Sequence, residues 1–527
     1  MSDASLEIQA QAAERAIAAG QGDAHDCMVA ALGRSARDDL EGAETLLQRA
    51  LQLEPANPAV LTGLAIVRRK QGRMRDAVLA CDAAIRAWPG YADAWIERGA
   101  ILAAGGSSRA AQESFARATQ LAPHLAQAHA GLAALAARDG DFGAARQHAE
   151  EALHRDPTNA VAICARANAD IADKRPDLAR EALEELLGRL DRPSPDRSFG
   201  ATVLGDACDK LGDYDAAFRA YAAANSDFAA VNAGAAAGQA SHREFVAAIH
   251  AGFEAQPTAQ WRAPSPDRTH NRIQRHVFLL GYPRSGTTLL ENVLASLPGV
   301  AALEELPTLA AADQKYLLGN RDAVIAGLAS FSELDGDAID ALRRAYWDGV
   351  HASGVASGSE CLVDMDPLKG TRLPLIARMF PEAKILVMRR DPRDVVWSCF
   401  RTNFAMTSGT LEYTSLERAA RHYDAMMQLT EVAMARLELQ FHEVHYHRLV
   451  QDFDGTTRQI CDFLCLDWNE GLRHFDRTAQ ARGVSTASAG QVSRGLYDGT
   501  RQWERYAAYL EPVIPILQPW LERFGYA

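Results

Sequence analysis

Nowhere does this chain offer the run of about 18 apolar residues that a membrane-spanning helix requires. Its N-terminus, MSDASLEIQAQAAERA, has no basic stretch leading into an apolar one, so a secretory signal is not expected and a cytoplasmic location is. Positive charge is short. Lys and Arg number 55 against 68 Asp and Glu, a net charge of −13, which argues against a general nucleic-acid or anionic-membrane binder. Any cationic site must therefore be local. Cysteine is sparse: Cys27, Cys81, Cys164, Cys208, Cys361, Cys399, Cys461 and Cys465 include no CxxC pair. Reduced thiols are expected, with neither a disulfide framework nor a zinc site. Proline is scarce too, at 21 of 527 residues.

That scarcity makes proline spacing informative. Pro55, Pro89, Pro123 and Pro157 stand 34 residues apart. Ala43, Ala77, Ala111, Ala145 and Ala179 keep the same period, as do Ala50, Ala84, Ala118 and Ala152. Each unit reads as two helices that cross at small residues, with the proline ending the second because it has no N–H to continue the ladder. Units fall at about 24–57, 58–91, 92–125, 126–159 and 160–193, with a sixth around 204–225 and a capping helix before residue 24. The pattern resembles the tetratricopeptide repeat. The resemblance implies an all-α solenoid over 1–231 whose concave face holds a peptide or protein, the alternative being a spacer or an intramolecular packing partner; Tyr91, Trp95 and His129 are candidates to line the groove or to pack.

Residues 232–270 begin helical and end in APSPDRTH, which reads as a linker. The pattern then changes. HVFLLGY (276–282), KILVMRR (384–390) and FHEVHY (441–446) read as buried strands separated by helices, so 271–527 is expected to be an α/β domain with a parallel sheet. After the first strand comes Gly281-Tyr-Pro-Arg-Ser-Gly286-Thr287-Thr288 and a helix, the strand–turn–helix arrangement of an anion cradle. The glycine spacing is that of a phosphate-binding loop, but Thr287 stands where a nucleoside triphosphatase has its lysine. Arg284 within the turn suits a smaller anion held by planar contacts.

YPRSGTTLLENVL resembles the 5′-phosphosulfate loop of sulfotransferases that use 3′-phosphoadenosine 5′-phosphosulfate (PAPS), above all the tyrosylprotein sulfotransferases and the bacterial repeat-linked enzymes near them. Arg390-Asp-Pro-Arg-Asp-Val-Val-Trp-Ser398 resembles their 3′-phosphate site, and Ser485-Thr-Ala-Ser488-Ala-Gly-Gln491-Val492 with Tyr497 and Trp503 their C-terminal segment. The resemblance implies that Arg284, Ser285, Gly286, Thr287 and Thr288 hold the 5′ end of the donor. It implies that Arg390 and Ser398 fix the 3′-phosphate, and that Tyr446, Gln491, Val492, Tyr497 and Arg501 complete the site. Glu305 is the implied base, with Glu304 as fallback, and Arg284 and Ser488 the implied stabilisers of the leaving oxygen. The product is 3′-phosphoadenosine 5′-phosphate (PAP), and no metal is implied.

Two departures from the family stand out. Met365 occupies the place of a catalytic lysine, so either Lys369 reaches in, or Arg284 and Ser488 suffice, or activity is weak or altered, and Met365→Lys is expected to keep or raise activity. Gln502 stands where a basic residue is usual, with Arg501 as substitute. His442, Glu443, His445 and His447 form a cluster read as surface residues rather than a metal site. The functional expectation is sulfuryl transfer to an acceptor hydroxyl, with protein tyrosine leading. The alternatives are a small-molecule or glycan hydroxyl, and a nucleotide-binding scaffold without turnover. A homodimer stays open.

Overall fold

The computed structural model describes residues 3–267, 273–354, 359–482, 492 and 495–527. It divides into two compact units, Met1–Arg189 and Leu190–Ala527.

The first unit is a run of antiparallel helical pairs. First helices start at Ala24, Pro58, Ala92, Ala126 and Ala160, in step with the proline period. The second helices end at Leu53, Ala87, Leu121 and Arg155, two residues before each proline. Ala43, Ala77, Ala111, Ala145 and Ala179 are all fully buried, because larger side chains would push the crossing helices apart. Each intra-pair turn passes through one left-handed residue, at Asp38, Gly72, Gly106, Gly140 and Lys174. That is the conformation that lets the first helix stop and the second reverse. Helix Asp3–Ala18 covers the first pair through Ala10 and Ala13.

The second unit holds a five-stranded, all-parallel sheet. Its strands are β1 (Arg275–Leu280), β2 (Val300–Glu304), β3 (Cys361–Met365), β4 (Lys384–Arg389) and β5 (Gln440–His445), in the order β2-β3-β1-β4-β5. Both faces are covered, as parallel strands require. Phe278, Leu280, Leu362, Ile385 and Val387 pack on one side with helices Gly336–Ala352 and Leu416–Arg436. Val277, Leu279, Val363, Met365, Leu386 and Met388 pack on the other with Thr287–Leu294 and Phe453–Leu464.

The division at Arg189 comes earlier than the sequence boundary at 231. The sixth pair, Pro195–Leu211 and Tyr214–Val231, keeps the repeat pattern but belongs to the α/β unit. Phe218 stacks on Tyr509 at 3.8 Å, Tyr221 meets the Trp397 ring at 5.8 Å, and Asn225 Nδ2 donates to Phe400 O at 2.8 Å. The segment expected as a linker also packs: helix His242–Ala255 buries Val246, Ile249 and Phe253 completely in that core. No helix among the described residues is long and apolar enough to cross a membrane.

Candidate active site

The C-terminal ends of parallel strands leave backbone amides and following helix N-termini pointing the same way, so sites gather there. In this sheet the five strand ends deliver Gly281, Glu305, Asp366, Arg390 and Tyr446 to one edge.

The turn after β1 is tight. Ser285 N–H donates to Tyr282 O at 3.0 Å, and Tyr282 N–H donates back to Ser285 Oγ at 3.3 Å. Arg284 takes a left-handed φ of 70°, a strained choice for a side chain with a Cβ and one that persists where the surroundings impose it. Gly286 at φ 106° has no alternative: a Cβ there would lie 2.7 Å from Tyr446 Cδ2. Ser285, Thr287 and Thr288 are buried at the start of helix Thr287–Leu294.

Arginines gather over this turn. Arg284 Nε donates to Ser398 Oγ at 3.0 Å. Arg390 Nη1 donates to Arg284 O at 2.7 Å and Nη2 to Gly499 O, while its guanidinium lies 4.7 Å from the Tyr446 ring centre. The neighbouring carboxylates are spent elsewhere. Asp391 forks onto Arg393, and Asp394 accepts from the amides of Arg501 and Trp503 at 2.8 and 3.0 Å. Burial, with Arg390's charge behind it, lowers Arg284 to about 10, still protonated at neutral pH. Arg390 Nε is buried without a hydrogen-bond partner. Two adjacent guanidiniums and a buried, unanswered N–H over a loop of amides match a phosphorylated anion. Arg284, Gly286, Leu289, Arg390, Tyr446, Val492, Gly495 and Tyr497 line an open cleft there.

Glu305 follows β2 at φ 49°, its N–H donating to Met365 O at 2.7 Å. Crowding by protein, then the carboxylates of Asp366, Glu304 and Glu291, push its carboxyl up to about 7 against a pull from Lys369. The residue still exposes over a third of its surface, so water screens the effect and the upward direction carries the argument.

With this geometry in place, similarity is informative. The Sulfotransferase family model matches residues 276–470, and a tetratricopeptide repeat model matches 29–92 and 96–160. The chain carries tetratricopeptide repeats and a sulfotransferase-family domain. An uncharacterized protein of Aquifex aeolicus is 29% identical over 360 residues, 66% of this chain and 44% of its own length. This chain thus spans less than half of that relative. Protein-tyrosine sulfotransferase 1 of Danio rerio is 24% identical over 267 residues, 49% of this chain and 74% of its own. Protein-tyrosine sulfotransferase A of Caenorhabditis elegans is 24% identical over 302 residues, 54% and 77% respectively.

Within the sulfotransferase-family domain the departures resolve structurally. Lys369 is 4% exposed, with Nζ 2.5 Å from Asp364 Oδ1 and further bonds to Thr308 Oγ1 and Leu306 O. Asp364 in turn accepts from Thr308 and Tyr346 hydroxyls at 2.7 and 3.0 Å. Lys369 is thus a buried tie beneath the Glu305 loop. Lys369→Met should destabilise the fold by about 3–5 kcal/mol, because it leaves the buried Asp364 without its partner; urea unfolding monitored by circular dichroism measures this. Met365 is fully buried in the layer containing Val277, Leu279 and Val363. That inverts the expectation for Met365→Lys. An ammonium among those side chains costs several kcal/mol, so a lower melting temperature is expected, with no gain in rate.

Arg501 does not enter the cleft: its backbone N–H is held by Asp394 while its side chain is 79% exposed. Tyr497 is half exposed, its hydroxyl accepting from Gln502. Tyr446 acts as a strut as well as a wall, donating to Tyr497 O at 2.8 Å and accepting from Gly499 N–H. Ser488 and Gln491 lie outside the described residues. In the histidine cluster, Glu443 pairs with Arg389 at 2.7 Å and His442 stacks on Phe463.

Three features escaped sequence reasoning. Asp394 shapes the 501–503 turn. Glu291, wholly buried, has one oxygen on Arg482 and the other unpartnered, and burial pushes its carboxyl up to about 7. Tyr282 is anchored by a buried chain, its hydroxyl 2.6 Å from His422 Nδ1 and His422 Nε2 2.7 Å from His242 Nδ1. Burial lowers both histidines, His242 to about 4, so they stay neutral at physiological pH.

Proposed function

We propose that the second unit transfers a sulfuryl group from PAPS to an acceptor hydroxyl, with a protein tyrosine as the leading acceptor. The observation that carries this is the arginine pair over the β1 turn, Arg284 on Ser398 and Arg390 with its unanswered Nε, together with Glu305 at the same sheet edge. Sulfuryl transfer needs positioning and charge stabilisation more than covalent help. The loop amides with Ser285, Thr287 and Thr288 would hold the 5′-phosphosulfate, and Arg390 with Ser398 the 3′-phosphate. The donor supplies the activated sulfuryl group. Glu305 would take the acceptor's proton, and Arg284 would hold the charge growing on the leaving oxygen. The names of the relatives favour tyrosine, and the repeats favour a peptide or protein acceptor.

The test is transfer of labelled sulfate from PAPS to tyrosine-containing peptides by the full chain; label that stays in the donor with every acceptor opposes the proposal. Arg390→Ala should weaken PAP binding by about 1.5–3 kcal/mol, the worth of hydrogen bonds to a charged group, as read by calorimetry.

A further inference from the structure

We propose that His422, with His242 behind it, is a positioning residue for the β1 turn: it holds Tyr282 so that the turn keeps the shape that receives the donor's 5′-phosphosulfate. This rests on the sulfuryl-transfer reading for the identity of the anion and adds what sets the loop that binds it. Tyr282 is the second residue of the turn, 1% exposed, and its backbone makes both closing bonds with Ser285. Its hydroxyl lies 2.6 Å from His422 Nδ1, and His422 Nε2 lies 2.7 Å from His242 Nδ1. His422 is wholly buried on helix Leu416–Arg436, and His242 opens helix His242–Ala255. One side chain of the turn is thus pinned to two helices that come from elsewhere in the chain.

Donor and acceptor accounting places the hydrogens. The Tyr413 hydroxyl reaches the Tyr282 oxygen, which accepts from it. The Tyr282 hydrogen then goes to His422 Nδ1, and His422 Nε2–H to the lone pair on His242 Nδ1. Burial keeps both rings neutral, as this arrangement requires. Phenylalanine would fill the same space without bringing a hydroxyl into the core, where a hydroxyl costs desolvation. What the hydroxyl adds is direction: it fixes where the ring ends, and so where the Tyr282 backbone sits. The turn needs such a restraint. Arg284, two residues on, holds a left-handed φ of 70°, which lasts only where the surroundings over-determine it. The described residues lining the nucleotide cleft include none of Tyr282, His422 and His242, so the effect on donor binding runs through the turn.

The test uses the full chain and the variants Tyr282→Phe, His422→Leu and His422→Asn; asparagine keeps an acceptor close to the place of Nδ1. Hydrogen exchange of the 281–288 amides, read by mass spectrometry, should quicken about three- to tenfold in Tyr282→Phe and His422→Leu, the scale of one net hydrogen bond. PAP affinity by calorimetry should fall by a similar factor of about three to ten. His422→Asn should recover most of both. A merely structural role lowers the melting temperature without changing the PAP affinity of the folded protein. Loop exchange at the wild-type rate in both Tyr282→Phe and His422→Leu overturns the assignment, and so does unchanged PAP affinity in both. Failure of wild type to bind PAP strikes the sulfuryl-transfer reading instead, and loop exchange then still decides the positioning.

Discussion

Glu305→Gln should reduce sulfuryl transfer by about 10²–10⁴-fold while leaving PAP binding intact, because the amide keeps the shape but cannot take a proton. The carboxyl sits at the C-terminal edge of the sheet and is raised to about 7 by crowding and by the neighbouring carboxylates. The base works when ionised, and its ionised fraction grows as pH rises through the pKa. Transfer measured as kcat/KM should therefore climb across the neutral range and level off above it, and Glu305→Gln should flatten that limb. Loss in Glu304→Gln with full activity in Glu305→Gln would move the base one residue back.

Arg284→Ala should cost at least about 10²–10³-fold in kcat, the scale of removing one preorganised donor from a developing anion. Since Lys369 is committed to Asp364 and Met365 packs in the apolar layer, the proposed mechanism leaves Arg284 to carry the charge that the family assigns to a lysine. The Arg284 side chain also donates to Ser398 Oγ, so PAP affinity should fall as well. Single-turnover transfer separates the two losses. Unchanged transfer in Arg284→Ala would place the leaving-group cation elsewhere.

The repeat array was legible because its determinants are local: one helix-ending proline and one tightly packed alanine per unit recur wherever the geometry recurs. The β1 turn was legible for the same reason, since Gly286 must be glycine and the threonines must follow at the helix start. β3 was missed because five residues, Cys-Leu-Val-Asp-Met, carry too little pattern to separate a central strand from a short helix. Roles fixed by distant partners were equally opaque. Nothing local in Lys369 points to Asp364 rather than to a cleft, and nothing in Arg501 shows that Asp394 holds its backbone and turns its side chain outward. The sixth pair looks like the others in sequence; what attaches it to the α/β unit, Phe218, Tyr221 and Asn225 meeting Trp397, Phe400 and Tyr509 and Asp209 accepting from Tyr506, is set by distant partners.

The most direct test of the central claim is calorimetric titration of the full chain with PAP in the absence of magnesium, beside ATP in its presence. Arg284, Arg390 and Ser398, with Thr287 in the lysine place, predict saturable one-to-one PAP binding that survives chelator, and no comparable ATP binding. Tight magnesium-dependent ATP binding without PAP binding would contradict the account.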